Sequence, residues 1–390
     1  MLHPSESVGL SDAFLPFVDA GLIREGYRDR QVYGLMGIPI DALSIEGAVD
    51  RIRDAVERKK TALISTPNLN FLVTSLADRG LRQSLLVSEF CPVDGVPLVW
   101  MCKLLGIPIR NRVAGADIFE ALKAPRSTGD PLRVFFFGGL PGVADAAARS
   151  INCEQNGVIC VGSLDPGFGS LDDLSAQEII DRINASEADF LVVALGAQKG
   201  QEWLLRNHDR IKVPVRSHLG AVVAFQSGKL KRAPELIRKS GFEWLWRVKE
   251  EPHLWKRYWR DGCIFLMVLC TRVLPLMIIN AARRLFTRGT TELVADYQTL
   301  DSKVCVRLKG PAVVANFACA EASLRRAAES GKDVSLDLSQ VDFIDARFFG
   351  LFLQLRRSMN QHGRELGFVG ANRWIRRLFW LNAFDFLLEA

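Results

Sequence analysis

The chain has 390 residues, 48% of them apolar and 24% charged, with a formal net charge of +6. That length exceeds one ordinary domain, and that composition excludes a disordered or fibrous protein. Eight cysteines without a CxxC pair and five unclustered histidines argue against a structural metal site, and a mild basic excess without a binding motif argues against nucleic acid.

Residues 1–31 lack a basic start and a long apolar core, so they read as a weakly ordered extension of a chain with no secretory signal. From Val32 to Pro214, short apolar runs alternate with helical patterns. Strands are expected at Val32–Met36, Ala62–Ser65, Val134–Phe137, Val158–Val161, Phe190–Val193 and Val213–Ser217. Alternation of this kind, with the doubly apolar run FLVVALG, predicts an α/β body over residues 32–228, a Rossmann-like parallel sheet with helices on both faces. Ligands of such sheets bind beyond the carboxyl ends of the strands. Ser65-Thr66-Pro67-Asn68, the turn Gly138 to Gly142 and the run Leu195 to Gln201 occupy those places. The glycine turn lets backbone N–H groups approach an anion at a helix start, and equally suits an ordinary strand–helix connection. Asp94 stands in a turn flanked by Pro92, Gly95 and Pro97, where a carboxylate acts as a cap, an Asx-turn residue or a general base. Arg112 and Asp117 flank a small-residue turn, Asp117 as a helix cap and Arg112 as a partner for phosphate or a structural carboxylate.

Residues 229–288 change character. Ten Lys/Arg face four Glu between Lys229 and Arg260, and four of the eight tryptophans fall there, followed by the apolar run CIFLMVLCTRVLPLMII. Cations attract anionic headgroups and tryptophan prefers the headgroup layer, so this appendage is expected to sit on an anionic membrane surface. Seventeen residues from Cys263 to Ile279, with Arg272 and Pro275 inside, fall short of the roughly 20 apolar residues of a span. An in-plane helix with Arg272 snorkelling is expected, with a span or a re-entrant hairpin to Leu285 as alternatives. Residues 289–299 read as a linker, and residues 300–390 as a small α/β unit with a second basic concentration over Arg356–Arg377.

Five blocks carry a resemblance: STPNLNFLVTSLADRGLRQSLLVSEFCPVDGVPLVW, RVAGADIFEAL, FFFGGLPGVADAAA, INASEADFLVVALGAQKGQEWLLRN and GKLKRAP with GFEWLWR and EEPHLWKRYW. Together they resemble the WecG/TagA/CpsF glycosyltransferases (glycosyltransferase family 26) over Val32 to Gly262. The resemblance implies an inverting enzyme without a cofactor or metal. It would move a hexose, of the N-acetylmannosamine type or related, from a UDP-sugar to an undecaprenyl-diphosphate-linked sugar in surface polysaccharide synthesis. It implies Asp94 as general base and Thr66 and Asn68 in the substrate pocket. Arg112 and Asp117 fall in the RVAGxD block, and Gly138, Gly139 and Gly142 on the nucleotide side. Arg232, Arg238 and Arg247 of the appendage would face the diphosphate. Lys199 and Gln201 count with the substrate positions in a block that departs from the family pattern, with Gln198, Gly200 and Gln201 where Pro, Gln and Glu are usual. A second departure is GAVVAF at Gly220–Phe225, which lacks the usual Asp. These changes bear on the donor sugar, and a glucosyl or galactosyl donor stays open.

The C-terminal unit, with DVSLDLSQVDFIDARFFGLFLQLRR and GANRWIRRLFWLNAFDFLL, resembles a STAS domain. Ala346 follows Asp345 where antagonist members carry a phosphorylated Ser or Thr, so that switch is absent and a protein partner or plain packing role is expected. The resemblances place the chain at the cytoplasmic face of the inner membrane. The competing reading is a catalytically degenerate scaffold acting through its STAS-like unit.

Overall fold

The computed structural model describes residues 30–125, 130–286, 292–299 and 303–389; residues 1–29 of the expected extension and residues 289–291 of the expected linker lie outside them. Five strands, β3 (Ala62–Ile64), β4 (Leu132–Gly138), β5 (Val158–Leu164), β6 (Phe190–Ala194) and β7 (Val215–His218), form a parallel sheet in the order β3-β7-β6-β4-β5. Every residue of β6 is buried, as a strand covered on both faces requires. Successive side chains feed two cores. Phe136, Val192 and Val215 pack with the helices Ile45–Glu57 and Val143–Glu154, and Phe135, Phe137 and Val193 with Ile180, Trp203 and Leu204 on the other face. From β4 the chain runs out to β5 and then returns past β4 to β6, so a topological switch point lies between the carboxyl ends of β4 and β6.

The expected first strand does not join that sheet directly. Val32–Leu35 is β1 of an antiparallel hairpin with β2 (Ile38–Asp41). Met36 and Gly37 both have positive φ, 46° and 86°, the backbone of a primed two-residue turn that matches strand twist. Asp41 bridges Pro92 and Ile64 bridges Phe90, both in parallel. A short segment, residues 90–92, therefore stitches the hairpin to the β3 edge. Arg30 belongs to this structure rather than to an extension: its guanidinium forms two bonds, 2.6 and 2.9 Å, with the buried Asp41 carboxylate, which also accepts the Cys91 N–H at 2.7 Å.

The C-terminal unit holds a four-stranded sheet, order β11-β10-β9-β8, built from β8 (Val294–Thr299), β9 (Lys303–Ala312), β10 (Asp333–Ile344) and β11 (Leu366–Val369). Residues 294–299 are thus a strand antiparallel to β9, not linker, because Ala295 and Tyr297 find apolar contacts on the core side. Asp345 caps the helix Ala346–Asn360 by accepting the Phe348 N–H at 3.0 Å. This helix is buried on two sides. Phe348 and Phe352 belong to the domain core, while Gly350 meets the hairpin so closely that a Cβ would lie 2.1 Å from the Val32 carbonyl oxygen. Arg347 donates to that same oxygen at 2.7 Å. One apolar core runs from the hairpin through Leu72 and Met101 into Phe349, Phe352 and Phe379.

Among the described residues one helix, Pro252–Leu285, is long and apolar enough to cross a membrane by length and composition. It is not a re-entrant hairpin. At Leu269–Val273 a π-helical turn absorbs one extra residue, which relieves the clash Pro275 would make with the preceding turn. The slip also keeps Asp261, Val268, Val273 and Leu276 on one buried face. The opposite face, with Cys263, Leu266, Met267, Cys270 and Ile278, is exposed. Arg272 does not snorkel to solvent: it donates to the Trp380 carbonyl and lies 4.5 Å from the Trp380 ring centre. An aromatic face within reach satisfies the cation better than an extended rotamer beside apolar neighbours.

Candidate active site

Asp94 is delivered by the stitched segment. Its N–H bonds the Pro67 carbonyl at 2.9 Å, and Val93 accepts the Val113 N–H at 2.7 Å, so the end of β3 and the Arg112 turn are drawn to it. Gly95 follows with φ of 146°, a conformation that lets the chain turn from Asp94 into the helix Val96–Leu105. A Cβ there would stand in ordinary contact with Asn68, 3.6 Å away, so the backbone conformation rather than space calls for glycine. Asn68 caps the helix Leu69–Ser75 through its side-chain oxygen, 3.2 Å from the Phe71 nitrogen. Thr66 is buried against Gly115, which opens the helix Gly115–Leu122 and whose N–H faces the Asp94 carboxylate. Burial pushes the Asp94 carboxyl up to about 7, with Glu243 and Asp117 adding to the rise and Arg112 and the Gly115 N–H opposing it.

The appendage completes the same cluster. Arg232 donates to Asp117 at 2.5 Å and Arg238 to the same oxygen at 3.3 Å, while Arg112 pairs with Glu243 and lies 3.8 Å from Asp117. Arg232 and Arg238 each keep a buried Nε without a partner, donors available to an anion. Arg247 pairs with Glu251 at 2.7 Å and shares the Phe225 ring with Arg232, the guanidinium carbons lying 5.9 and 5.7 Å from its centre. Glu243 was not among the residues singled out in the sequence, because it is embedded in the aromatic run FEWLWR.

Gly138 ends β4, Gly139 donates to the Ala194 carbonyl at 2.8 Å, and Gly142 caps the helix Val143–Glu154 with nothing within 4 Å of a would-be Cβ. All three have positive φ. This turn and the Asp94 cluster share the carboxyl edge of the sheet, at β4 and β3, which lie three strand spacings, about 14 Å, apart. Lys199 and Gln201 are not brought to the cluster. Lys199 donates to the Gly169 carbonyl, and Gln201 is fully buried with its oxygen 3.2 Å from the Ser65 hydroxyl. The helix Ala197–Arg206 turns Gln201 toward the sheet together with Trp203 and Leu204. Gly200 has a different use: a Cβ there would stand 2.2 Å from the ring of His218. His218 ends β7 at the same edge, held neutral by burial at about 4, and its Nε2 has no partner. Its place after a buried strand was the available signal for it.

Among the described residues no group of His, Cys, Asp and Glu has the arrangement of a metal site. The family model for the glycosyl transferase WecG/TagA/CpsF family matches residues 33–276, and the STAS domain model matches residues 295–389. A relative from Bacillus spizizenii, the N-acetylglucosaminyldiphosphoundecaprenol N-acetyl-beta-D-mannosaminyltransferase, is 28% identical over 202 residues, which cover 52% of this chain and 76% of the relative.

Proposed function

The chain belongs to the WecG/TagA/CpsF glycosyltransferase family, and from that premise we propose that it transfers a hexose from a UDP-sugar to a polyprenyl-diphosphate-linked sugar, with Asp94 as general base. The observation that carries this reading is the convergence of Arg112, Arg232 and Arg238 around Asp117 beside a desolvated Asp94. A carboxylate held near 7 is basic enough to take a proton from an acceptor hydroxyl at neutral pH. The freed oxygen attacks the anomeric carbon as the bond to the diphosphate breaks on the opposite face, which inverts that centre. UDP departs with the bonding electrons, and the unpartnered Nε donors of Arg232 and Arg238 stabilise its charge. The separation of the glycine turn from Asp94 suits a nucleotide at β4 and the reacting sugar near β3. The Bacillus relative's name describes a donor sugar of the N-acetylmannosamine type and an undecaprenyl-diphosphate acceptor.

The exposed stripe of the long helix, flanked by Trp255, Trp259 and Arg260 at one end and Arg284 at the other, seats the protein in the plane of the cytoplasmic leaflet. Asp261 on its buried face accepts from Asn70 at 2.9 Å, which ties the start of the helix to the body and supports an in-plane placement. The test is a donor panel offered to purified protein with a defined lipid-diphosphate-sugar. Transfer from one UDP-hexose that requires this acceptor is expected. A folded protein that transfers from none of the panel would overturn the assignment of substrates.

A further inference from the structure

The helix Arg373–Leu381, sequence RWIRRLFWL, buries Ile375, Leu378, Phe379 and Leu381 and contains no carboxylate. Its outward face carries Arg373, Trp374, Arg376, Arg377 and Trp380. Trp374 is 43% and Trp380 40% exposed, large areas for rings of a folded domain. The Trp374 N–H is satisfied by the Asp342 carbonyl at 2.9 Å, which leaves its ring as an apolar surface. Trp380 lies between two guanidinium groups, Arg272 at 4.5 Å and Arg377 at 5.2 Å from its ring centre. Through Arg272 this face is continuous with the exposed apolar stripe of the long helix, next to Cys270 and Thr271.

We propose that this face of the STAS-like domain is a second membrane contact, one that binds anionic lipid headgroups beside the seated long helix. The inference rests on the reading that the long helix lies on the bilayer. Arg373, Arg376 and Arg377 have no carboxylate on their own helix and outnumber the exposed Asp342 and Asp385 beside it, which suits lipid phosphate, and tryptophan suits the layer beneath it. The face also holds Arg373, Arg376 and Arg377, half of the arginines in the second basic concentration of the chain, which the transferase reaction does not use. Its consequence is that the C-terminal domain fixes the rotation of the enzyme on the surface, since contact on two helices leaves less freedom than contact on one.

The test is sedimentation of the full chain with vesicles of neutral phosphatidylcholine, with and without about 30% anionic phosphatidylglycerol. The triple variant R373Q/R376Q/R377Q should lose about 100-fold in affinity for the anionic vesicles and none for the neutral ones. Its turnover with a detergent-solubilised acceptor should be unchanged. The charge-conserving R373K/R376K/R377K should bind as the native chain does. The variant L266E/M267E should weaken binding to both vesicle types. If L266E/M267E binds like the native chain, the long-helix reading fails. If only the arginine triple binds anionic vesicles like the native chain, the second contact is overturned and the face belongs to an acidic protein partner instead.

Discussion

Replacing Asp94 by asparagine removes a proton-binding site while keeping nearly the same shape, so it separates catalysis from stability. In the folded chain the carboxyl ionises near 7, against 3.8 for an unburied aspartate. The folded state therefore holds this proton more tightly than the unfolded chain does. The native protein should lose stability as pH rises from about 4 to 7, and stay level above that. The loss amounts to about 4 kcal/mol at pH 8 and about half a kcal/mol at pH 4. Asp94→Asn escapes it, so urea midpoints measured at both pH values should show a large stabilisation at pH 8 and almost none at pH 4. Glycosyl transfer should respond in the opposite direction. The native rate should climb with pH to a plateau above 7, standing at about a tenth of it at pH 6. The variant should lose at least about 100-fold. An active Asp94→Asn, or one no more stable than the native chain at pH 8, would refute the argument that a desolvated base sits there.

Three further outcomes follow from the same geometry. Arg112→Gln removes the cation that holds the Asp94 carboxyl down, so the rising limb of the pH–rate profile should move to higher pH; an unmoved limb would show that Arg112 serves Glu243 alone. Arg357 pairs with Glu89 across the interface between the transferase body and the C-terminal domain. Burial raises the Glu89 carboxyl, but Arg357, Arg30 and Lys60 outweigh it and hold it well below the usual carboxylate range. Its ionic contribution is thus present at neutral pH and fades in acid, and Arg357→Gln should cost about 2 kcal/mol at pH 7 by urea unfolding, less in acid. Gly350→Ala places a methyl against the Val32 carbonyl and should destabilise by about 3 kcal/mol, read as a lower Tm with reduced transfer; a neutral effect would mean the hairpin yields without consequence.

The parallel sheet was legible because β6 is apolar at every position and its neighbours alternate with helical patterns. Asp94 was legible from its Pro- and Gly-flanked turn, and the appendage arginines from their block. The hairpin was not, since Met36 stands where Asn, Asp or Gly usually precedes the glycine of such a turn, and β1 reads like a parallel strand. Lys199 and Gln201 share a motif with Trp203 yet point to other surroundings, which only the phase of the helix decides. Glu243 and the contact of Arg272 with Trp380 depend on segments more than 100 residues apart meeting in space. No local pattern encodes such meetings.

The hydrogen bond from Arg347 to Val32 joins residues 315 positions apart. During synthesis the hairpin leaves the ribosome among the first described segments, and the helix that covers it among the last. Until then its apolar face stays bare, and the segment it braces, which carries Asp94, has no firm edge to pair with. A nascent chain would thus present its long helix before the segment that carries Asp94 had its full set of neighbours. The C-terminal domain is in this sense the last brace of the hairpin, and through it of the edge that holds Asp94.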